Sequence, residues 1–262
     1  MRRWKKPVKS SNPLVILLIV VAVWAVSAPS AAAQFTSTAY DARSGAMGGS
    51  LFLPADEGCA TLGYRSGYRL QGLADKQLGL WLPLGRRGIV AAAYMHHGTV
   101  DYHEQQATAG YQLRVAEWLK VGVAARWLQV GTSDAHYPAR QWLAAEAMLQ
   151  ALAGGTALTL LGGTRPWDDA HPWRWHLNMR YTPAGEGYGL VAELEQEELL
   201  RLRLGMEYAF RQRWFLRAGM ATRPVVMTFG GGVRLKQYSI DLAAEVHSSL
   251  GITPHTTLTL WF

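Results

Sequence analysis

The sequence predicts an all-β protein: a transmembrane, antiparallel, up-and-down β-barrel of about 14 strands with a short amino-terminal hatch. Three observations support this fold class. Apolar and polar residues alternate along most of the chain, an export signal precedes them, and no later segment is apolar over a length that a membrane helix needs. Mean hydropathy is near zero because alternating residues cancel in any average, as they do in a barrel.

The first 33 residues have the three parts of a signal peptide. Five positive charges precede a 13-residue apolar run, Leu14–Val26, and the small residues Ala31–Ala33 follow. The alternative, a membrane-anchoring helix, needs about 20 apolar residues. We therefore expect cleavage, with the mature chain beginning at Gln34. The predicted organisation is a signal peptide over 1–33, a hatch or linker over 34–58 and a barrel over 59–262.

The signal also explains most of the net charge. The chain carries +7 and has a pI of 9.6, which alone would suggest a nucleic-acid partner. Residues 1–33 hold five positive charges and no carboxylate, so their removal lowers the net charge to +2. We therefore predict no nucleic-acid partner. The single cysteine, Cys59, excludes an intrachain disulfide framework and lies too far from the expected cleavage site to anchor a lipoprotein.

Tyr238–His247 shows the alternation most clearly. Its apolar residues occupy every second position, and Ser239, Asp241 and Glu245 fall between them. A strand places these two sets on opposite faces, whereas a helix would mix them. The same pattern predicts strands over Gln77–Leu84, Leu119–Trp127, Trp142–Leu152, Ala157–Gly163, Trp173–Tyr181, Tyr188–Glu195, Leu199–Phe210, Val225–Leu235 and Thr257–Phe262.

One of these segments is ambiguous. Trp142–Leu152 is rich in helix-forming residues, but it alternates, and Gly154 and Gly155 then turn the chain into the next segment. We interpret it as a strand. Tight turns are predicted at 85–88, 182–185, 211–213 and Gly251, and longer polar connections at 98–106, 132–140 and 165–172. An even strand number returns both ends to one side, and 12 strands is the alternative because two early segments alternate weakly.

The distribution of aromatic and charged residues favours a membrane barrel over a soluble one. A soluble barrel or sandwich turns its apolar face inward. Here Trp, Tyr and Leu lie near the segment ends, as in the aromatic girdles of a bilayer interface, and the opposite faces are densely charged. We therefore predict an integral protein of the bacterial outer membrane, in contact with outer-membrane lipid.

The predicted lumen-facing charges have both signs on neighbouring strands, where they can pair across the sheet. We interpret them as a salt-bridged network that fills a narrow barrel; an electrostatic filter for a solute is the alternative. The network comprises Arg174, Arg180, Glu193, Glu195, Arg201, Arg203, Glu207, Arg217, Arg234, Asp241 and Glu245.

A glycine-rich segment follows the signal: residues 42–50 read ARSGAMGGS, and Pro54-Ala55-Asp56-Glu57 comes shortly after. It resembles the amino-terminal A-R-x-x-x-M/L-G-G segment of PorV- and PorQ-like outer-membrane proteins, which belong to the FadL-like superfamily of fourteen-stranded barrels. The resemblance implies that residues 34–58 form a hatch inside or beneath the barrel. Its motif residues are Arg43, Gly45, Met47, Gly48 and Gly49, and the glycines permit a tightly folded backbone in a confined lumen. A periplasmic linker is the alternative.

The resemblance also implies a function. PorV- and PorQ-like proteins serve type IX secretion and surface attachment of cargo, whereas FadL-like proteins pass hydrophobic molecules. We therefore predict a non-enzymatic transport or secretion-accessory barrel, with type IX secretion components or surface cargo as partners in the second case. A closed structural barrel that presents loops to a protein partner is an alternative.

No catalytic residue, ligand site, metal site or cofactor is predicted. The sequence contains no Gly-x-Ser-x-Gly elbow, phosphate loop or Cys-x-x-Cys pair. Two weaker alternatives remain. They are a lipid-modifying enzyme built from Ser239, Glu245 and His247, and a metal held across a hairpin by His96, His97 and His103.

The carboxyl terminus is predicted to direct assembly. Leu258, Leu260 and Phe262 share one face of the last strand, and Thr257, Thr259 and Trp261 share the other. We expect the first three to face lipid and to form the signal that the barrel-assembly machinery reads, which makes that machinery a partner.

Overall fold

The structure, a computed structural model, describes residues 41–49, 57–70, 72–85, 88–134 and 136–262. In this part of the chain fourteen antiparallel strands form a closed barrel, in which each strand pairs with its sequence neighbours and the first pairs with the last. The predicted fold class and strand number are confirmed, and the alternative of 12 strands is wrong. The expected signal peptide lies outside the described residues, as does most of segment 34–58.

The barrel is preceded by one short helix, α1 (Ala42–Ala46), and a 3₁₀ turn at Gly67–Arg69 follows the first strand. Among the described residues, no helix is long and apolar enough to span a membrane. The strands are β1 (Cys59–Ser66), β2 (Ala74–Leu84), β3 (Gly88–Gly98), β4 (Tyr102–Ala116), β5 (Leu119–Thr132), β6 (Arg140–Ala153), β7 (Thr156–Thr164), β8 (Trp173–Tyr181), β9 (Tyr188–Gln196), β10 (Leu200–Phe210), β11 (Trp214–Ala221), β12 (Val226–Leu235), β13 (Tyr238–His247) and β14 (Gly251–Trp261).

The two rims of the barrel differ. β1 begins and β14 ends at one rim, which we call the terminal rim, and the opposite rim is called the loop rim. The longest connections at the loop rim are 67–73, 133–139 and 165–172, whereas five of the six turns at the terminal rim are three residues or shorter. Strands of 8 to 15 residues are long enough to cross a bilayer at a tilt.

The barrel is inside out relative to a soluble protein. Outward side chains such as Leu143, Leu216 and Met227 are 71, 67 and 66% exposed, whereas Thr257 and Thr228, which face the lumen, are almost fully buried. Exposed aromatic residues gather near the terminal rim: Trp118, Tyr181, Tyr188, Tyr208, Phe210, Trp214, Tyr238 and Phe262. An apolar outer surface with an aromatic girdle and a polar interior is the arrangement of a membrane barrel.

Two sequence expectations about β4 and β6 have different outcomes. The ambiguous segment Trp142–Leu152 is a strand, as predicted, within β6. The expected connection at 98–106 is wrong, because β4 begins at Tyr102. Glu104 and Gln106 are buried in the lumen, so a polar strand end resembles a loop in sequence.

Candidate functional site

Residues 41–49 lie against the inner wall of β10–β14. The Asp41 carboxylate accepts from the backbone N–H of Ser44 and so begins α1. The backbone N–H of Ala42 donates to Thr257 on β14 at 2.8 Å, and that of Gly48 donates to Thr228 on β12 at 2.8 Å. The short segment is therefore held at both ends by the lumen face of the barrel.

Three wall glycines form a seat for this segment. Gly205, Gly219 and Gly230 lie on the adjacent strands β10, β11 and β12. A Cβ atom on Gly205 would lie 2.6 Å from the Cβ of Met47, and one on Gly230 would lie 2.6 Å from the Cβ of Ala46. These glycines, which we call the glycine seat, let the backbone of 46–48 touch the wall. The sequence reasoning missed them, although glycine at inward positions of three consecutive strands was a readable signal.

The five residues of the hatch motif contact different parts of this wall. Arg43 points to Glu207, and Met47 and Gly48 lie on the glycine seat. Gly45 faces His255, and Gly48 and Gly49 have φ angles of 77° and 72°, in the left-handed region that glycine adopts readily. The backbone oxygens of Gly48 and Gly49 accept from Arg203 at 3.3 and 2.7 Å.

A central chain of charges links the segment to the wall. Arg43 donates to both oxygens of Glu207, at 2.8 and 2.6 Å. Arg217, whose side chain is 2% exposed, donates to Glu207 and to Asp241, each at 2.6 Å. A buried charge needs such partners because desolvation costs several kcal/mol. Glu207, Arg217 and Asp241, three of the residues assigned to the lumen from the sequence, thus lie together.

A second group of predicted residues meets on β9 and β10. Arg203 contacts Glu195 through two nitrogens, and Arg201 lies 3.3 Å from the same carboxylate. Glu193 lies beside it and accepts from Asn178 at 2.8 Å. His176 adds a ring nitrogen 3.2 Å from Glu193.

The remaining four predicted residues are spread around the lumen. Arg174 contacts Glu146 and Glu197, the second at 3.3 Å. Glu245 lies 3.0 Å from Arg65. Arg234 pairs with Glu57 at 2.9 Å and lies 4.6 Å above the Trp261 ring. Arg180 faces the cavity described below.

Sequence reasoning missed charged residues on the early strands. Arg65 bridges Asp75 and Glu245, each at 3.0 Å, and Asp75 also contacts His97 at 2.6 Å. Arg126 contacts Glu146. On β1, Arg65 follows the outward-facing Tyr64, and on β2, Asp75 lies between Ala74 and Lys76, which face outward. The alternation was therefore present in the sequence, but it extends over only a few residues.

The loop 165–172 folds over the loop rim. Arg165, 2% exposed at its side chain, pairs with Asp168 at 3.0 Å and with Glu198 at 3.2 Å. Burial opposes ionisation of Asp168, but backbone N–H groups of His171 and Ala170 and the Arg165 charge lower its pKa. Trp167 packs on an apolar cluster with Leu128 at its centre. Charge pairs and an indole ring therefore hold this loop against the lumen.

A cavity of 440 Å³ lies in the half of the lumen nearer the terminal rim. Charged side chains of Arg43, Arg180, Arg217 and Asp241 line one side. The opposite wall, on β2–β7, is mostly apolar, although Thr108, Gln112 and Glu146 also line it; its large or aliphatic members are Trp81, Ile89, Ala91, Ala93, Met148 and Leu161. The cavity is therefore amphipathic, and the lumen contains apolar side chains as well as charged ones.

The apolar wall was not predicted from sequence. In β3, both faces are largely apolar: Val90, Ala92 and Tyr94 point outward, and Ile89, Ala91 and Ala93 point to the cavity. Alternation cannot be read from such a strand, because the signal needs polar residues on one face. A strand that is apolar on both faces inside a barrel is itself the signal of an apolar lumen.

The two chemical alternatives find no support in the geometry. Ser239 and His247 lie at opposite ends of β13, eight residues and therefore about 27 Å apart. A lipid hydrolase cannot use them together. His96 and His103 stack on the outer face with ring centroids 5.9 Å apart, whereas His97 turns inward to Asp75. The three histidines do not converge on one metal position.

The predicted assembly residues lie on the outer face at the terminal rim. Leu258, Leu260 and Phe262 are 44, 38 and 60% exposed. The backbone N–H of Phe262 donates to Gly58 at 3.0 Å, next to the β1–β14 pairing that closes the barrel. Their recognition by the assembly machinery stays a prediction.

Comparison with known proteins supports the architecture. No protein-family model and no curated protein sequence matches the chain. Among solved structures, the Pseudomonas putida toluene transporter TodX is similar, with a TM-score of 0.61 and 12% identity over 84% of this chain and 96% of that one. The chain therefore shares the barrel fold of this transporter.

Two further solved structures agree with this fold. The CymD monoaromatic hydrocarbon channel has a TM-score of 0.58 and 11% identity over 87% of this chain and 99% of CymD. A Pseudomonas aeruginosa FadL homologue has a TM-score of 0.58 and 11% identity, with 84% and 97% of the two chains covered. At these identities the likeness shows the fold alone.

Proposed function

We propose that this protein is a non-enzymatic barrel of the bacterial outer membrane that passes small hydrophobic molecules. The observation that carries the proposal is the cavity of 440 Å³ with an apolar wall inside a FadL-like barrel. The exposed apolar outer surface with its aromatic girdle supports the membrane location.

The cavity favours a small ligand with an apolar body. Small-molecule pockets commonly have volumes of about 300–1,000 Å³ and are mostly apolar with a few placed polar groups. Trp81 and Ile89 offer apolar contact on one side, and Arg180 and Arg217 lie on the other. The solved neighbours with similar folds are a toluene transporter and a monoaromatic hydrocarbon channel. Toluene is therefore a suitable first probe.

Residues 41–49 fit the role of a hatch beside this cavity. Asp41 and Arg43 line it, while α1 is held on the inner wall by hydrogen bonds to Thr257 and Thr228. In this proposal, a ligand that enters from the loop rim passes Trp167 and the ion pairs that Arg165 forms. Ligand passage then requires movement of these two segments while the closed barrel stays intact.

Equilibrium dialysis of radiolabelled toluene against the purified barrel tests the binding step, with protein-free micelles subtracted. Ala91→Phe places a ring in the cavity, whereas Ala109→Phe makes the same change at an exposed position on the outer face. We expect saturable binding that Ala91→Phe removes and Ala109→Phe retains. Non-saturable binding, or equal binding in the two variants, would refute the proposal.

A secretion-accessory role is the second candidate, and the motif over residues 42–49 favours it. These residues contact the five strands β10–β14, so the segment is placed to transmit the binding of a partner to the barrel. Purification from outer membranes in mild detergent distinguishes the candidates. Co-purifying type IX secretion components or surface cargo would support the accessory role, and a lone barrel carrying a lipid or hydrocarbon would support transport.

A further inference from the structure

A compact group of metal-type ligands lies on the inner wall of β8 and β9, away from the cavity. His176 pairs directly with Glu195 across the two strands, and Glu193 is the next inward residue on β9. Their overall exposures are 5, 1 and 2%. We call these three residues the His176 cluster. Because they project from two paired strands of a closed barrel, their positions are fixed by the wall and not by a loop.

The distances within the His176 cluster suit one ion. The Nδ1 atom of His176 lies 3.2 Å from Oε1 of Glu193 and 3.9 Å from Oε1 of Glu195. All three ligand atoms lie within 4.8 Å of one another. Metal–ligand bonds of about 2.1 Å place tetrahedral donors about 3.4 Å apart. Small side-chain adjustments therefore bring the three atoms to bonding positions.

Each carboxylate is oriented by its other oxygen. Oε2 of Glu193 accepts from Asn178 at 2.8 Å, and Oε2 of Glu195 accepts from Arg203. Oε1 of Glu195 is buried and has no hydrogen-bond partner in the described part of the chain. Partners that fix the outer atoms while an inner atom stays free are the supporting contacts expected around a metal site.

Arginine side chains surround the His176 cluster. Arg201 and Arg203 contact Glu195, and Glu197, which follows β9 directly, lies 3.3 Å from Arg174. These guanidinium groups offset much of the carboxylate charge, so the geometry of the cluster, and not an excess of negative charge, is what suits a cation.

We propose that His176, Glu193 and Glu195 bind a divalent transition-metal ion such as Zn²⁺. One imidazole nitrogen and two carboxylate oxygens are suitable donors for this ion, and water would supply a fourth ligand. The ion would clamp β8 to β9 inside the barrel. Arg203 links Glu195 to the backbone of Gly48 and Gly49, so the clamp would also fix the end of the segment 41–49.

Metal binding to the full, folded barrel tests this proposal. The purified protein is treated with a chelator, dialysed against micromolar Zn²⁺ and analysed for bound zinc, and Co²⁺ is then used to read the visible absorption of a bound ion. We expect one ion per chain. His176→Asn and Glu195→Gln should each weaken binding by at least about tenfold, whereas His136→Asn, in a loop with its side chain 91% exposed, should not.

The retained barrel fold of each variant is verified by its heat-dependent mobility in gel electrophoresis, and Glu193→Gln replaces any variant that fails this check. Absence of stoichiometric binding by the wild type would overturn the proposal, as would equal binding by the His176→Asn and wild-type proteins. In either case His176 is a charge partner of the two carboxylates. The assay contains no hydrocarbon, so its failure is independent of the transport proposal.

Discussion

Arg217 shows how strongly the lumen depends on charge pairing at the level of single residues. Its guanidinium is buried and bridges Glu207 and Asp241. Arg217→Met would leave two carboxylates without their shared cation, and breaking such a buried pair typically costs about 3–5 kcal/mol. We expect the free energy of unfolding in urea to fall by this amount. Arg213→Met, in an exposed turn, should have little effect.

Equal stability of the Arg217→Met and Arg213→Met proteins would contradict the importance of this pairing. A partial recovery is expected when Asp241→Asn is added to Arg217→Met, because the neutral amide removes the carboxylate charge that Arg217 had paired, while Glu207 keeps its pair with Arg43. The recovery separates lost charge pairing from lost packing of the arginine side chain.

Gly205 tests the contact between residues 41–49 and the barrel wall. Of the three atoms nearest to a Cβ added at Gly205, two belong to Met47, at 2.6 and 2.8 Å, and the third is Cγ1 of Val191 on β9, at 2.8 Å. Gly205→Ala should therefore displace the segment, together with a shift of the Val191 side chain. Thiol labelling of Met47→Cys in a Cys59→Ser background should become faster.

The matched control for this prediction is Gly162→Ala, because its nearest neighbour would lie 3.9 Å away. This substitution should leave the labelling rate of Met47→Cys unchanged. If Gly205→Ala labels no faster than the control, then the glycine seat does not determine where the segment lies.

Among the structural elements, the loop 165–172 tests closure at the loop rim. Trp167 contacts the cluster around Leu128 and Ala144. Trp167→Ala removes that contact and should raise single-channel conductance in planar bilayers. Tyr137→Ala, in the neighbouring loop with its side chain exposed, should not change it. Equal conductance of the two variants would show that the Trp167 loop does not limit passage.

The last strand, β14, tests assembly. Phe262 is exposed at the terminal rim and adjoins the β1–β14 closure. Deleting it should reduce the fraction of folded barrel in outer membranes to a minor part of the wild-type level, whereas Phe262→Tyr should retain most assembly. Heat-dependent gel mobility measures the folded fraction. Normal assembly of the chain that lacks Phe262 would show that Phe262 is not needed for assembly.

How well a strand could be predicted depended on the contrast between its two faces. β13 and β8 have the predicted bounds because charged and apolar residues alternate cleanly in both. The start of β4 was mistaken for a loop because Glu104 and Gln106 face a polar lumen. The apolar wall on β3 was missed because Ala91 and Ala92 look alike although they face opposite sides.

At the scale of the whole molecule, alternation predicted a closed barrel but not the contents of its lumen. Arg217 and Glu207 are direct neighbours across paired strands, so strand order alone suggested their contact. Arg65 and Glu245 lie on strands separated by β14, and Arg43 reaches Glu207 from outside the sheet. Such contacts depend on curvature and on where residues 41–49 lie, which no local pattern contains.

The central claim is that the amphipathic cavity lies on a route for small hydrophobic molecules. The most direct measurement is uptake of radiolabelled toluene by cells that carry equal amounts of wild-type, Ala91→Phe or Ala109→Phe protein in the outer membrane. We predict that Ala91→Phe lowers uptake to the level of cells without the protein and that Ala109→Phe matches the wild type. Wild-type uptake by the Ala91→Phe cells would contradict the account.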